Sequence, residues 1–116
     1  MMTNPQTLTL SYVNGLLNKY PDKVPVVVYA ENDKTTPFKL LVSPNLTIGE
    51  FMNMLRAKKL NDLINKHTSL YLFVNDPHNN ANVMTSISNT IGNVYHQYQQ
   101  SNKTLVVTYG IEHVFG

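Results

Sequence analysis

Apolar residues near both ends of the chain recur at the spacing of one helix face. The i, i+3, i+4, i+7 pattern is followed by Val13, Leu16, Leu17 and Tyr20, and again by Ile91, Val94, Tyr95 and Tyr98. These patterns predict two short amphipathic helices, over 11–20 and about 90–99. Proline disfavours helix at the residue before it, so Pro21 should end the first helix.

Four segments are rich enough in apolar and β-branched residues to be strands. They span 24–30, 38–43, 70–74 and 104–109. The first and the last are apolar on both faces, which is typical of strands in the middle of a sheet. The polar residues of 31–37 should form a turn between the first two strands, and the asparagine-rich stretch 75–82 an exposed loop.

A third helix is predicted between the second and third strands. Thr47 and Glu50 form the capping-box pattern, in which the threonine hydroxyl accepts from the Glu50 amide and the carboxylate reaches back. The apolar face of this helix would carry Ile48, Phe51, Met52 and Leu55. The pattern leaves open whether the helix is extended, or followed by a separate turn, at Leu60, Leu63 and Ile64.

The order helix, strand, strand, helix, strand, short helix, strand is typical of an α+β fold. If the two doubly buried strands lie side by side and parallel, the elements form a ubiquitin-like β-grasp. This is a four-stranded mixed sheet packed on a central helix, here with a short N-terminal helix added. With 116 residues, one domain is expected. We expect a flexible N-terminus over 1–10, the ubiquitin-like domain with its N-terminal helix over 11–109, and a flexible tail over 110–116.

Composition limits the chemistry that the chain can carry. It has no cysteine, which excludes disulfides, thiolate metal sites and a cysteine nucleophile. Nine basic and seven acidic residues give a net charge of +2, and the lysines are scattered, so nucleic-acid binding is not predicted. The sequence has neither a signal-peptide pattern nor the roughly 18 apolar residues of a membrane span. We therefore expect a soluble, cytoplasmic protein.

The histidines offer little to an enzyme. They fall in unrelated elements, and although Asp76 and His78 share a loop and Glu112 precedes His113, neither pair has a nucleophile or a third metal ligand at a recognised spacing. No catalytic residue, metal site or cofactor is predicted.

Six short segments, in order, carry a more specific pattern. The sequence NKYPDKVPVVV at 18–28 joins the first helix to the first strand. It is followed by KLLV at 39–42, LTIGEF at 46–51, LYLFVN at 70–75, TIGNVY at 90–95 and VFG at 114–116. In this order and spacing the segments resemble the autophagy-related protein eight family, the GABARAP and microtubule-associated light-chain-three modifiers. The resemblance runs from about residue 16 to residue 116.

The resemblance implies a covalent modifier rather than an enzyme. In the family, a cysteine protease exposes a terminal glycine, an activating enzyme adenylates it and takes it as a thioester, and a conjugating enzyme passes it to phosphatidylethanolamine. In this chain the conjugated residue would be Gly116. The implied partners are the activating and conjugating enzymes, a deconjugating cysteine protease and, after conjugation, the autophagosome membrane.

The resemblance also implies capture of cargo-receptor peptides that carry an aromatic residue, two variable residues and an aliphatic one. By position, the aromatic pocket would be lined by Leu16, Pro25, Val27, Lys39 and Leu41. The aliphatic pocket would be lined by Leu40, Val42, Leu46, Phe51, Met54 and Leu55. Lys23, Lys39 and Lys58 would meet acidic residues beside the motif. Alternation along a strand supports the split, because Leu40 and Leu41 point to opposite faces. The alternative is that Phe51, Leu55 and Leu46 are simply core residues, and core packing explains Phe51 and Leu55 equally well.

Some positions depart from the family pattern. The region before Ser11 is short and uncharged, and Tyr12 stands where a pocket-lining acidic residue is common. Lys103 and Thr104 replace two aromatic residues before the last strand. These differences bear on which peptides the pockets would accept.

Two other functions stay open at this point. The autophagy-related protein twelve family also ends in an aromatic residue and glycine, but it is ligated to a protein lysine. The reduced N-terminus and segment 105–109 favour it slightly, whereas segment 20–25 argues more strongly against it. The third possibility is a ubiquitin-like interaction domain that is never conjugated. Incubation with activating and conjugating enzymes, ATP and phosphatidylethanolamine liposomes separates the three.

Overall fold

The computed structural model describes residues 8–58 and 68–113. The elements along this part of the chain are α1 (Leu10–Lys19), β1 (Val24–Ala30), β2 (Asp33–Val42), α2 (Ile48–Lys58), β3 (Thr68–Asp76), β4 (Ala81–Val83), α3 (Ile91–Tyr98) and β5 (Leu105–His113). The predicted α+β, ubiquitin-like arrangement is confirmed. Leu60, Leu63 and Ile64 lie outside the described residues, as does the predicted extension of α2.

Helix α1 lies within one residue of its predicted bounds at each end. Thr9 is its N-cap, with a hydroxyl that accepts from the Tyr12 amide at 3.1 Å. At the other end the Tyr20 amide donates to the Leu16 carbonyl at 2.7 Å, immediately before the proline. Val13 is fully buried and anchors the helix on the sheet.

The sheet has the strand order β2-β1-β5-β3-β4, so β1 and β5 are neighbours in its centre. They run parallel, with Val26 opposite Leu105 and Val28 opposite Val107. Strand β2 pairs antiparallel with β1, and β3 pairs antiparallel with β5. The two strands that are apolar on both faces are therefore both inner strands, as predicted, because only an inner position buries both faces of a strand. Their parallel pairing is the one that the β-grasp analogy required.

The sheet has five strands within the described residues, which corrects the predicted four. Strand β4 lies in the asparagine-rich stretch that was predicted as a loop, and it pairs with β3 through Val83 opposite Val74 and Asn82 opposite Asn75. Asn80 has φ 51°, a left-handed conformation that asparagine tolerates better than most residues. Backbone groups make this pairing, and the asparagine side chains that favour a turn do not prevent it.

Three strands are longer than predicted. Strand β3 spans Thr68–Asp76 instead of 70–74. Strand β2 begins at Asp33, inside the predicted turn, and β5 runs to His113 instead of ending at 109. Strand β3 explains the extension of β5. It pairs with β5 as far as Thr68 opposite His113, so it supplies backbone partners along the whole added segment. Residues 110–113, which were predicted as part of the tail, are therefore strand residues, and 114–116 lie outside the described residues.

The main core lies between one face of the sheet and helices α2 and α3. The strands contribute Val24, Val26, Val28, Val42, Leu70, Leu72, Val74, Leu105, Val107 and Tyr109. The helices contribute Phe51, Leu55, Ile91 and Val94, all fully buried, and Ile48 at 2% exposure. The opposite face of β1 presents Pro25, Val27 and Tyr29, and α1 packs on that side. Helices α2 and α3 thus cover one face of the sheet, and α1 covers part of the other.

The capping box predicted for α2 is present. The Glu50 amide donates to Thr47 Oγ1 at 3.1 Å, and the Thr47 amide donates to Glu50 Oε1 at 2.9 Å. Two amide groups that a helix start would otherwise leave unpaired are satisfied by this exchange. The cap therefore sets where the core helix begins.

Replacing Thr47 by alanine is expected to lower the free energy of unfolding by about 1 kcal/mol, because the Glu50 amide loses its acceptor. Thr47→Ser is the matched control, since it keeps the hydroxyl and should retain most of the stability. Urea denaturation measures both variants. Equal stability of the alanine variant and the wild type would show that the cap contributes nothing.

Candidate functional site

A concave pocket opens between α1 and the β1–β2 hairpin, and we call it the α1–β2 pocket. Its volume is about 170 Å³, and its lining residues are Leu8, Tyr12, Leu16, Pro25, Val27, Lys39, Leu40, Leu41 and Thr104. Every residue that was predicted to line the aromatic pocket is among them. The structure thus brings together, around one cavity, residues from a helix and two strands.

Strand pairing positions most of this lining. Val27 lies opposite Lys39, and Pro25 lies opposite Leu41. Residues directly opposite on antiparallel strands project to the same face of the sheet, so these four side chains form one continuous surface. Leu16 adds the wall that α1 contributes.

The pocket has an apolar floor and a more exposed rim that carries one lysine. Val27 is only 1% exposed, whereas Leu41 is 36% and Tyr12 51% exposed. The Lys39 ammonium lies 5.8 Å from the centre of the Tyr12 ring, within the range of a cation–π contact. Such a pocket can bury an apolar or aromatic side chain while its rim attracts an acidic neighbour.

Sequence reasoning did not assign four of the lining residues to the aromatic pocket. Leu8 was placed in the flexible N-terminus, but its carbonyl accepts from Asn102 Nδ2 at 2.9 Å. This contact joins residues 94 positions apart, so no local sequence pattern predicts it. Thr104 is fully buried, with a hydroxyl that donates to Asn102 Oδ1 at 2.7 Å. Tyr12 was noted only as a departure from the family, and Leu40 was assigned to the other pocket.

The residues predicted for an aliphatic pocket are divided between the core and its edge. Val42, Phe51 and Leu55 belong to the core, and each has at most 3% of its surface exposed. Leu40, Leu46 and Met54 are half-buried and pack against the core. Phe51 and Leu55 are therefore core residues. A bound side chain could contact the half-buried Leu40, Leu46 and Met54 without opening the core.

Of the three lysines predicted to meet acidic residues beside the motif, only Lys39 is among the described side chains that line the α1–β2 pocket. Lys39 is at the rim of the α1–β2 pocket. Lys23 is half-buried in the turn before β1, where its amide donates to the Tyr20 carbonyl at 3.1 Å. Lys58 ends α2, but its side chain lies outside the described residues, as does Gly116.

The loop that holds Asp76 and His78 is a structured turn. The Asp76 carboxylate accepts from Asn79 Nδ2 at 2.8 Å and from the His78 amide at 2.9 Å. The hydrogen bond from Asn79 is the main reason that the pKa of Asp76 lies below its usual value. Across residues 8–58 and 68–113, no group of three metal-ligating side chains is placed to hold an ion. No helix in that same part of the chain is long and apolar enough to span a bilayer.

The architecture defines the class of protein. A mixed sheet with parallel central strands, packed on α2 and carrying α1 on its other face, is a ubiquitin-like β-grasp domain with an N-terminal extension. A solved structure titled "Crystal Structure of Trypanosoma brucei ATG8" has the same fold, with a TM-score of 0.69. The similarity covers 100% of this chain and 99% of that chain at 22% sequence identity.

The family follows from the sequence comparisons. The family model described as "Autophagy protein Atg8 ubiquitin like" matches residues 10–116, and the chain belongs to this family. Human "Microtubule-associated protein 1 light chain 3 gamma" is 28% identical over 109 residues, which cover 90% of this chain and 69% of that protein. Arabidopsis thaliana "Autophagy-related protein 8a" is 25% identical over 119 residues, which cover 99% and 90% respectively. The resemblance seen in the sequence motifs is confirmed.

Proposed function

We propose that this protein is a conjugated modifier of autophagy with two working parts. Gly116 is joined to phosphatidylethanolamine, and the α1–β2 pocket recruits receptors whose peptides carry an aromatic-x-x-aliphatic motif. The observation that carries the proposal is the pocket itself, because the residues matched to the family motif come from three elements and line one cavity of about 170 Å³. Membership of the Atg8 family supports the conjugation.

Strand β2 supplies the means of holding a peptide. It is an edge strand of the described sheet, so its outer backbone groups can pair with an added strand. The aromatic residue of such a peptide enters the α1–β2 pocket over Val27. The aliphatic residue contacts the half-buried Leu46 and Met54, which need no opening of the core.

Charge at the pocket rim favours peptides with acidic flanks. Lys39 is exposed and held beside Tyr12, where a family member often carries an acidic residue. Each exposed ion pair contributes at most about 1 kcal/mol, so the lysine tunes affinity and the apolar floor provides most of it.

The conjugation chemistry requires activation by other proteins. A carboxylate is ionised at neutral pH and is a poor electrophile, so it must become an acyl adenylate and then a thioester before an amine attacks it. This chain supplies the acyl group. A two-chain lipid then gives stable membrane attachment, which a single acyl chain does not.

The Leu41→Asp variant tests the pocket. We expect its affinity for a synthetic Trp-x-x-Leu peptide with acidic flanking residues to fall by about tenfold or more. The reason is that the new carboxylate at the rim must be desolvated beside an acidic ligand. Leu41 is 36% exposed, so the fold should tolerate the change. Isothermal titration calorimetry measures the affinity, and circular dichroism checks the fold.

Ile87→Asp is the matched control for the pocket variant. Ile87 is a 66% exposed aliphatic residue that does not line the α1–β2 pocket, so its variant should bind the peptide as the wild type does. Unchanged binding by a folded Leu41→Asp protein would place the peptide elsewhere.

Reconstitution tests the conjugation. The wild-type chain, incubated with cognate activating and conjugating enzymes, ATP and phosphatidylethanolamine liposomes, should yield a lipid-linked product. A product joined to a lysine of a protein in the mixture would indicate the sibling family's reaction. Intact peptide binding without any conjugate would leave only an interaction domain.

A further inference from the structure

A second cavity lies on the same side of the sheet as α1, and it shares no lining residue with the α1–β2 pocket. We call it the amide cleft. Its volume is about 410 Å³, and it is lined by Tyr29, Asn75, Asn80, Asn82, Gln100, Val106 and Thr108. Strand register explains the grouping, because Tyr29 is opposite Thr108 and Asn75 is opposite Asn82.

Three side-chain amides in the cleft form an oriented chain of hydrogen bonds. Gln100 Nε2 donates to Asn75 Oδ1 at 2.9 Å, and Asn75 Nδ2 donates to Asn82 Oδ1 at 3.4 Å. Each amide carries two donors and one acceptor, so the chain leaves the Gln100 oxygen and the Asn82 amino group for another molecule. The cleft thus presents an acceptor at one end of the chain and a donor at the other.

Tyr29 provides the second observation that points to a ligand. Its side chain is only 2% exposed, and its hydroxyl has no hydrogen-bond partner among the described residues. Leaving a buried hydroxyl unpaired is costly, and most buried polar groups in proteins have a partner. A tyrosine hydroxyl is neutral at physiological pH, and burial raises the pKa of Tyr29 still further, to about 12.

A neighbouring cavity lengthens the amide cleft. It has a volume of about 540 Å³ and shares Asn75, Asn80 and Gln100 with the amide cleft. Beyond these it is lined by Pro77, His78, Gln99 and Ser101. A ligand seated on the amide chain therefore has room to continue past the β3–β4 turn.

We propose that the amide cleft binds a neutral, polyhydroxylated ligand, namely a sugar. No lining residue of the amide cleft carries a charge, which disfavours phosphates and carboxylates. Val106 is the only aliphatic residue in the lining, whereas pockets for apolar ligands are mostly hydrophobic. Sugar hydroxyls donate and accept at the same atom, which suits a surface of amides and hydroxyls that offers both.

The cleft is less suited to a peptide strand. It lies over β1, β5, β3 and β4, on the face of the sheet, where the backbone groups of the inner strands are already paired. Added peptide strands take their affinity from main-chain pairing at an edge and their specificity from pockets for side chains. The amide cleft is lined by side chains on the face of the sheet, so a ligand seated there does not meet the outer backbone groups of the edge strand β4.

An NMR titration of the 116-residue chain tests the proposal. Glucose, N-acetylglucosamine and maltose are the probes, glucuronate is the charged control and cyclohexanol the apolar control. We expect at least one neutral sugar to give saturable shifts confined to the cleft residues, with a dissociation constant on the order of millimolar. The controls should give none. Absence of saturable shifts with all three sugars up to about 100 mM would overturn the proposal.

Two variants make the assignment specific. Tyr29→Phe removes only the hydroxyl and Gln100→Ala removes one end of the amide chain, and each should weaken sugar binding by about tenfold. Tyr20→Phe is the matched control, because Tyr20 is exposed and outside the cleft. Since the Tyr29 hydroxyl is unpaired, Tyr29→Phe should melt no lower than the wild type. A marked fall in its melting temperature, or sugar binding unaffected by both variants, would contradict the proposal.

Discussion

The Gly116→Ala variant is expected to give no lipid-linked product under conditions in which the wild type is fully converted. Glycine lacks Cβ, so its backbone can enter a narrow channel and adopt torsions that other residues avoid. An added methyl group would obstruct the passage of the terminal residue through the activating and conjugating enzymes. Mobility shift on denaturing gels and mass spectrometry of the liposome fraction measure the product.

The Gly116→Ala variant should keep the second proposed activity, which is peptide binding at the α1–β2 pocket. Gly116 follows β5 in the sequence, and all lining residues of the α1–β2 pocket lie between Leu8 and Thr104, before β5. Gly116→Ala should therefore bind the Trp-x-x-Leu peptide with wild-type affinity. Loss of both activities would indicate misfolding. Efficient lipid attachment of the alanine variant would show that the enzymes do not require glycine at this position.

The Phe51→Ala variant is expected to lose about 3 to 5 kcal/mol of unfolding free energy, because truncating a fully buried phenylalanine removes transfer free energy and leaves a cavity. Native domains have only about 5 to 15 kcal/mol of total stability, so a loss of that order is a large fraction of it. Phe51 lies in the centre of the α2 face that packs on the sheet. Thermal and urea denaturation measure the effect.

Comparison with Leu46→Ala separates the core from the proposed aliphatic contact. Leu46 is half-buried at the edge of the core, so its variant should lose less stability than Phe51→Ala and should weaken peptide binding in the folded state. A Phe51→Ala protein of near wild-type stability would contradict the core assignment. Unchanged peptide affinity in Leu46→Ala would remove Leu46 from the proposed contact.

Local signals predicted the helix starts and the central strands well. The capping box at Thr47 and Glu50 needs only four consecutive residues, and both of its hydrogen bonds are present. The inner positions of β1 and β5 followed from strands that are apolar on both faces, whereas their parallel pairing rested on the β-grasp analogy. Such features depend on side chains close in sequence, so one chain without relatives is enough to infer them.

The errors arise where backbone pairing decides the outcome. Strand β4 and the last residues of β5 have no apolar alternation, and they are strands because β3 offers them hydrogen-bond partners. The contact between Asn102 and Leu8 likewise joins distant segments. Burial of Val42 and Leu55 depends on how closely α2 lies against the sheet, which no periodicity specifies.

The sequence alone determined the α+β class, the covering of a sheet by an amphipathic α2, and five of the nine residues that line the α1–β2 pocket. It could do so because these depend on apolar spacing, capping chemistry and motif position. Only the tertiary structure decided that the sheet has a fifth strand in its described part, that Phe51 and Leu55 are core, and that an amide cleft surrounds Tyr29. The physical reason is that backbone pairing and burial are set by neighbours distant in sequence, which only the folded chain brings together.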